Sequence, residues 1–561
     1  MKRLFLSQIT DDFNPDQDIP LGPWCFLDKE DIYPEWESLP FEPDPFPNPE
    51  NLAEASRVTC AFANNLVTPL AAQLNQQNKA CYSDQFWRLM LLPWLITLVQ
   101  TSWFNLHCVQ QFIEKYKDEQ ISVELISDSV DWEFKDTLDF LYRGILNPLF
   151  EHWLFSRMVE ILCPPPWTKI YVGKEVEYKE VINQNVTWKR AIYNKIFANL
   201  RCKNVYGIGP ISSIFWSIFL SIKPGRFQNR NTIDRGKSLA NEIKWPFDFR
   251  KIIERTMPLC FQNLKVINCG TVQAKPGKFH LIGPVHYYNE SIKFKLGVAI
   301  EKGENLIITQ HGGNYGNAKV YPFPSELEYK QCCFFSWGWT EQEDYAGNIQ
   351  ALSSPYLSKV CNKHKTKSQN LILVGTKADL FPLRLASVPQ PLQNLSYRRN
   401  KVQFLKLLNP NIFKETFYRP YFNDYGSLKD QSYFKKKFAG LRICEGKLHP
   451  QILKCKLLVL DHPGTTLNIA LAANIPTIGF WDKQSWAMSR QAIPFFDALE
   501  DAGVLFQKGQ DAAKKVNEIW DNVEGWWNQE EIQKAREDWC YQYARTNKLW
   551  WLEWAKALWR M

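Results

Sequence analysis

The chain has 561 residues, with 67 Lys and Arg against 59 Asp and Glu, a formal surplus of +8. With 45% hydrophobic residues there is ample material for a core, which excludes disorder for the bulk, and the length suits about two to four domains. Charged residues are only 22% of the chain and nearly balanced in sign, so a wholesale nucleic-acid binder is excluded while a local anion site stays open. Aromatic residues reach 14%, with 23 Trp, which points to stacking surfaces as well as core packing. The 14 Cys include no CxxC pair, and adjacent Cys332 and Cys333 cannot easily bond each other. Neither a zinc module nor a disulfide framework is expected, and the chain reads as a reducing, cytoplasmic protein.

The start, MKRLFLSQITDDF, reaches polar and acidic residues too soon for a secretory signal and reads as a short first strand. From Asp11 to Glu50 the sequence is rich in Pro, Asp and Trp, which predicts an irregular, loop-rich cap. Asn51 to about Tyr116 follows the helical period, with Leu89, Leu92, Leu95, Ile96 and Val99 on one face and Pro93 interrupting it. The longest apolar runs, Leu89 to Val99 and Ile211 to Ile222, fall short of the roughly 18 residues that span a bilayer, so no spanning segment is expected.

Between Ile121 and about Glu180, short β-rich pieces such as ISVELI alternate with helical stretches, CPPPW at Cys163 to Trp167 marks a break, and TWKRAIYNKIF resumes a helix. Lys265 to His286 and Asn305 to Gln310 read as strands, the second ending in a Gly-rich turn. The polar, Lys-rich stretch Ser353 to Gln369 precedes the strand LILVG and marks a domain boundary. Beyond it, KLLVL, the turn DHPG, the helix TTLNIALAAN and the strand IPTIGF form a βαβ crossover.

Four segments can carry chemistry. In LVLDHPGTTLNIALAANIPTIGFW (Leu458 to Trp481), Gly464, Thr465 and Thr466 open a helix directly after a strand, where free N–H groups and the helix dipole favour a phosphate. The alternative is an ordinary capped helix. In NLIITQHGGNYGNAKV, a strand delivers Gln310, His311, Gly312, Gly313 and Tyr315 to a loop, where His311 suits a general base or a ligand for a sugar hydroxyl. In PSELEYKQCCFFSWGW, Glu328 suits an acid/base partner or an orienting group for His311, while Glu326 reads as a solvated strand edge and Trp337 and Trp339 as core. In KETFYRPYFNDYG, Arg419 suits a phosphate or carboxylate ligand. Arg398 with Arg399, and Lys435 to Lys437, read as solvated faces.

These segments, together with LGPWC at Leu21 to Cys25, YSDQFWRLMLLPWL at Tyr82 to Leu95, FSWGW and the tail GWWNQEEIQKAREDWCYQYA, resemble the transferases of O-antigen and other surface-carbohydrate gene clusters. The C-terminal part of that family is similar to GT-B glycosyltransferases, including spore-coat and lipopolysaccharide enzymes, and to sugar-nucleotide 2-epimerases. The resemblance implies an α/β, GT-B-like fold: two Rossmann-like domains facing a cleft, with a helical, Trp-rich N-terminal elaboration. It divides the chain into an acceptor-side domain (1–355), a nucleotide-sugar-binding domain (356–530) and a C-terminal helix returning to the first domain (531–561).

It further implies that the Thr465-Thr466 turn binds the nucleotide or its phosphate and that the QHGG loop faces it with His311 near the acceptor; with Gly464 completing the phosphate turn, Arg419 is expected to neutralise charge on the leaving group. GT-B proteins commonly carry a ribose-binding Glu where Asn468 stands here. Relatives have an acidic residue at the place of Cys333, which leaves Glu328 as the catalytic carboxylate beside His311. The expected function is a metal-independent, cofactor-free glycosyltransferase that moves a sugar from a nucleotide donor to a surface polysaccharide or O-antigen-type acceptor. His449-Pro450 is similar to the HP elements of CMP-ulosonate transferases. Expected partners are the nucleotide-sugar and a glycan or lipid-linked glycan, without nucleic acid, in the cytoplasm with peripheral contact at the inner face of the membrane. A sugar-nucleotide 2-epimerase and a non-catalytic glycan-assembly or binding protein are the alternatives.

Overall fold

Three all-parallel β-sheets organise the chain. The structure is a computed structural model that describes residues 1–128, 130, 132–173, 200–222, 243–267, 276–284, 286–341 and 343–561. The helix expected over TWKRAIYNKIF lies outside the described residues.

The first sheet has the order β2-β1-β3-β4, from β1 (Lys2–Phe5), β2 (Asp18–Pro20), β3 (Ile121–Ile126) and β4 (Thr168–Val172). Between β2 and β3 the chain forms two long helices, α1 (Pro49–Asn78) and α2 (Asp84–Tyr116). The Asn48 side chain caps α1 by accepting from Asn51 N, and Ser83 caps α2 by accepting from Phe86 N. Lys79, in the left-handed region at φ 51°, ends α1, so the expected helical region is two helices.

By length and composition α2 is apolar enough to cross a membrane, which run lengths alone understate, yet 94% of its most apolar window is buried inside the protein. It packs against α1, α3 (Pro148–Leu162) and a later helix, Glu290–Glu301. Its Thr97, Gln100, Thr101, Ser102 and Asn105 are buried with the apolar residues, so the polar interruptions of the run mark core hydrogen bonds. Pro93 lies inside the helix without ending it. The region before α1 is irregular, as expected, with short 3₁₀ turns at Pro23–Phe26 and Trp36–Ser38.

The second sheet runs in chain order, β5 (Cys202–Lys203), β6 (Phe279–Ile282), β7 (Asn305–Thr309), β8 (Cys333–Ser336) and β9 (Asn348–Ala351). Helix α4 (Pro210–Ile222) follows β5, and α5 (Glu290–Glu301) follows β6. The strand expected over Lys265 to His286 is confined to Phe279–Ile282, and Leu264–Val266 is a 3₁₀ turn. A short helix, α6 (Pro355–Val360), leads out of this sheet.

The third sheet has the order β12-β11-β10-β13-β14-β15. Its strands are β10 (Leu371–Val374), β11 (Thr416–Arg419), β12 (Arg442–Ile443), β13 (Leu457–Leu460), β14 (Thr477–Phe480) and β15 (Leu505–Phe506). The chain enters at the centre, steps outward to β12, then crosses to the other flank of β10. Helix α7 (Asn394–Leu407) lies between β10 and β11, and α8 (Thr465–Ala473) joins β13 to β14. Strands β8, β10, β13 and β14 are buried at every residue, as parallel strands covered on both faces must be.

One hydrophobic core runs from the second sheet into the third, through residues such as Ile308 and Phe334 on one side and Leu373 and Val459 on the other. The C-terminal segment divides between them. Helix α9 (Glu530–Tyr543) stays with the third sheet, where Trp539 Nε1 donates to Asn468. Helix α10 (Trp550–Arg560) makes the return to the second, its Trp554 packing on Phe335 at 5.4 Å between ring centroids. The fold is thus α/β with parallel sheets, and the N-terminal elaboration carries a parallel sheet of its own besides the expected helices.

Candidate active site

In open parallel sheets, ligands bind beyond the carboxyl ends of the strands where the strand order reverses, because the loops diverge there and leave a crevice. In the third sheet that place lies between β10 and β13. Strand β13 ends in Asp461, which is fully buried. Its carboxylate accepts from Thr376 N at 2.9 Å, directly beyond β10, and pairs with His462 Nδ1 at 2.7 Å. The Asp461 side chain therefore ties the two edges of the reversal together. Behind it, Lys401 lies 3.5 Å from Asp461 and also bonds Asp430, which Arg398 holds at 2.8 Å while reaching Glu37 at 2.7 Å. Arg398 is a buried hub, not the solvated surface residue the sequence suggested; Arg399 and Lys435 to Lys437 are exposed.

After Asp461 the chain turns at Pro463 and Gly464 into α8, whose N-cap Gly464 supplies no side-chain cap. Thr465 and Thr466 are partly exposed, with the first N–H groups of the helix. The imidazole of His462 lies over Gly464, where an added Cβ would sit 2.6 Å from His462 Cδ2. The turn meets the QHGG loop directly: Gly313 N donates to Thr465 Oγ1 at 2.9 Å. A Cβ on Gly313 would fall 2.4 Å from the Gly464 carbonyl carbon, and one on Gly312 would fall 2.8 Å from Thr465 Oγ1. These two glycines are needed for the contact between the second and third sheets. The contact leaves the Thr465 hydroxyl already accepting one bond.

His311 stands on this loop at the carboxyl end of β7. It is solvent-accessible yet surrounded by protein on most sides, as a residue in a cleft wall is. Its Nδ1 lies 2.8 Å from Tyr315 Oη, which donates to Glu328 Oε1 at 3.1 Å; Tyr287 Oη donates to the same oxygen. Glu328 therefore reaches His311 through Tyr315. Tyr315 is buried and stacks on Phe334 at 5.5 Å, so it orients His311 and is not a substrate ligand. With Tyr315 donating to Glu328, the network assigns the imidazole proton to Nδ1 and leaves the Nε2 lone pair free. Burial, followed by the charge of Arg384, lowers the His311 pKa to about 4, and burial raises the Glu328 carboxyl well above its usual range. His311 is thus neutral at neutral pH, the state a general base requires.

Other expected site residues have structural duties. Gln310 is buried, its Oε1 accepting from Trp337 N and Trp339 Nε1 at 2.9 Å each while Nε2 donates to Gly312 O at 2.8 Å, which shapes the loop. Asn468 is buried with its Oδ1 bonded to Trp539 at 3.0 Å, so it does not face a ribose. Arg419 ends β11, with β10 between it and β13, and donates through Nη1 to Cys444 O at 2.8 Å. His449 pairs with Tyr356 at 2.5 Å. Glu326 is in a π-helical turn, bonded to Asn64 at 3.0 Å and Lys330 at 2.6 Å, instead of a solvated strand edge. Cys333 is buried in β8, and Trp337 and Trp339 are core, as expected.

The loop after β10 supplies what the sequence reading missed. Its backbone is pinned on one side by α2, through Thr101 Oγ1 to Pro382 O at 2.6 Å and Leu385 N to Gln100 Oε1 at 2.9 Å. On the other side Ser387 N donates to Val320 O at 2.9 Å. Arg384 is thereby set over the Phe323 ring at 4.7 Å, near enough to Tyr288, Tyr321 and Tyr421 for its charge to act on each of them as well as on His311. Among the described residues Arg384 forms no ion pair; the neighbouring Asp379 is paired with Lys377 at 2.6 Å. The sequence signal was GTK following LILV, a second glycine-bearing strand end.

A family description matches the chain over residues 2–558, that of the LIC12162 family transferase. The chain belongs to that family. No curated protein matches it. Among solved structures, a mutant of the Thermobaculum terrenum O-GlcNAc transferase is similar over 95% of this chain and 88% of that one, at 9% identity and a TM-score of 0.25. A score that low establishes no shared fold. Membership in the transferase family makes the junction of the QHGG loop and the DHPG turn, with His311 near Arg384, the candidate active site.

Proposed function

We propose that the protein transfers a sugar from a nucleotide-activated donor to a hydroxyl of a surface-glycan acceptor, and that it works in the cytoplasm. The observation that carries this reading is the meeting of the QHGG loop with the DHPG turn. It brings the loop that carries His311, with Arg384 near it, against the N-terminus of α8 at the carboxyl ends of two parallel strands. His311 Nε2 accepts the proton of the acceptor hydroxyl, and the Tyr315–Glu328 pair holds the ring in the required tautomer. The N–H groups of Thr465 and Thr466 bind a donor phosphate, and Arg384, in place of Arg419, neutralises charge on the departing nucleotide. A CMP-ulosonate donor is one candidate of this class, though His449, bonded to Tyr356, gives it no support.

The test is a thermal-shift series with CMP, CDP, UDP, GDP and TDP on the full chain. A ligand that binds only the native state raises its midpoint by mass action. A selective rise with one nucleotide supports the reading and names the donor base. A folded protein that shows no rise with any of them at millimolar concentration overturns it in favour of a glycan-binding role.

A further inference from the structure

Helix α4 is built inside out. Its buried side carries Ser213, Trp216, Ser217 and Leu220, whereas Ile211 is 84% exposed, Phe215 63%, Ile218 55% and Ile222 74%. Positions 211, 215, 218 and 222 recur at helical spacing and form one stripe opposite the buried one. A single exposed apolar side chain needs no explanation, but a contiguous stripe on an outer helix marks an interaction surface.

Helix α10 extends the stripe sideways. Phe219 of α4 meets Trp559 of α10 at 6.4 Å between ring centroids, and Trp559 is itself 66% exposed. Among the described residues of α4 and α10, the exposed charges are of one sign. Helix α4 has no charged residue, and on α10 Lys556 and Arg560 are exposed. The one acid of α10, Glu553, turns toward the protein and accepts from Ser353 N at 3.3 Å. Lys278 closes the carboxyl end of α4, donating to Ile222 O at 3.5 Å.

We propose that the α4–α10 face docks on an anionic lipid bilayer, with α4 lying in the interfacial plane. An apolar stripe with aromatic residues and a basic rim is the chemistry by which helices lie on membranes: the stripe enters the headgroup boundary while the cations meet lipid phosphates. Helix α4, at about 1.5 Å per residue, offers a track about 20 Å long for this. It leaves the carboxyl end of β5, the same edge of the sheet from which the QHGG loop leaves β7. From there α4 runs to the amino end of β6, where Lys278 meets Ile222, so docking lays the flank of the second sheet on the interface; the docking does not rest on the transferase reading.

The test is co-sedimentation of the full chain with vesicles of phosphatidylcholine alone and of equal parts phosphatidylcholine and phosphatidylglycerol. The expected result is binding to the anionic vesicles that weakens with added salt and is lost at least about tenfold in the double variant Phe215→Ser with Ile218→Ser. A second variant, Lys556→Glu with Arg560→Glu, is expected to abolish the preference for anionic lipid. Both pairs lie on the surface, and an unchanged melting midpoint confirms that they fold. Wild-type protein that stays in the supernatant, or serine variants that sediment like wild type, overturn the proposal. So does a wild-type dimer in solution that the serine pair converts to monomer, because the face then joins two copies. Nucleotide binding separates the two readings: it is expected to persist in both variants, and its absence from the wild type overturns the transferase reading and leaves the docking result standing.

Discussion

The two histidines at the loop junction, His311 and His462, differ in what holds them. His462 is bonded to the buried carboxylate Asp461, behind which an ionic chain runs through Lys401, Asp430 and Arg398 to Glu37. Burial alone would raise the Asp430 carboxyl, but Lys401 and Arg398 together hold it below its ordinary value. His311 is held instead by tyrosine hydroxyls and a carboxyl that burial pushes toward its neutral form. An ionic chain of that depth fixes geometry, because each charge has a partner and none can leave without exposing the next. A neutral relay leaves one imidazole nitrogen free to take a proton. On the proposed function, the third sheet holds its histidine in an ionic chain and the second presents the proton acceptor.

The largest break in that contrast is His311→Ala. It is expected to lower kcat about 10²- to 10⁴-fold, the range for removing a general base, while the nucleotide-induced thermal shift stays unchanged. Loss of the nucleotide-induced shift in this variant would overturn that assignment of roles. The pH profile sharpens the assignment. Because the folded His311 pKa is lowered to about 4, the base is already neutral above that value, so the acid limb of kcat/KM lies near pH 4 instead of near the ordinary histidine value.

A smaller effect is expected at Arg384. Burial sets the His311 pKa first and the Arg384 charge second, so Arg384→Gln is expected to move the acid limb upward while weakening nucleotide binding. Loss of one charge-assisted contact is worth about 1.5–3 kcal/mol, or about 10- to 100-fold in affinity. Arg419→Gln is the matched control. Its guanidinium serves Cys444 O, so isothermal titration with the nucleotide that shifts the wild type should find affinity within about twofold of wild type. An affinity loss confined to Arg419→Gln would return the phosphate to β11.

Much of this architecture was legible from the residues, for reasons the structure makes plain. That the QHGG loop and the DHPG turn each follow a strand could be read from the continuous apolar runs before them, whereas their facing each other was implied only by the family resemblance. In the first sheet β1 and β3 were legible as strands, but their pairing was not, because β3 lies more than a hundred residues beyond β1 and β2 has only three residues. Local periodicity holds no trace of such pairing. Arg398 failed for a related reason: adjacent arginines on a polar helix look solvated, and only the approach of Glu37 and Asp430 from distant segments buries one of them. Arg384 sits in an apolar loop, FPLRLAS, with no motif, and its importance comes from two hydrogen-bonded anchors in α2.

Asn468 is where a family pattern and the packing give opposite answers, and it offers the finest test. If this position held a ribose, shortening it would cost nucleotide affinity; in the structure its Oδ1 instead receives the indole N–H of Trp539 in a buried contact between α8 and α9. Asn468→Ala leaves that donor without a partner, at a cost of about 1–3 kcal/mol measured by denaturant unfolding, with nucleotide affinity unchanged. Trp539→Phe then becomes informative, because removing the donor as well as the acceptor relieves the unsatisfied group. A double variant less destabilised than the sum of the single ones would show that the two residues act as a pair, and that the uncharged residue on α8 records how the C-terminal helix is anchored, with no bearing on how the donor is bound.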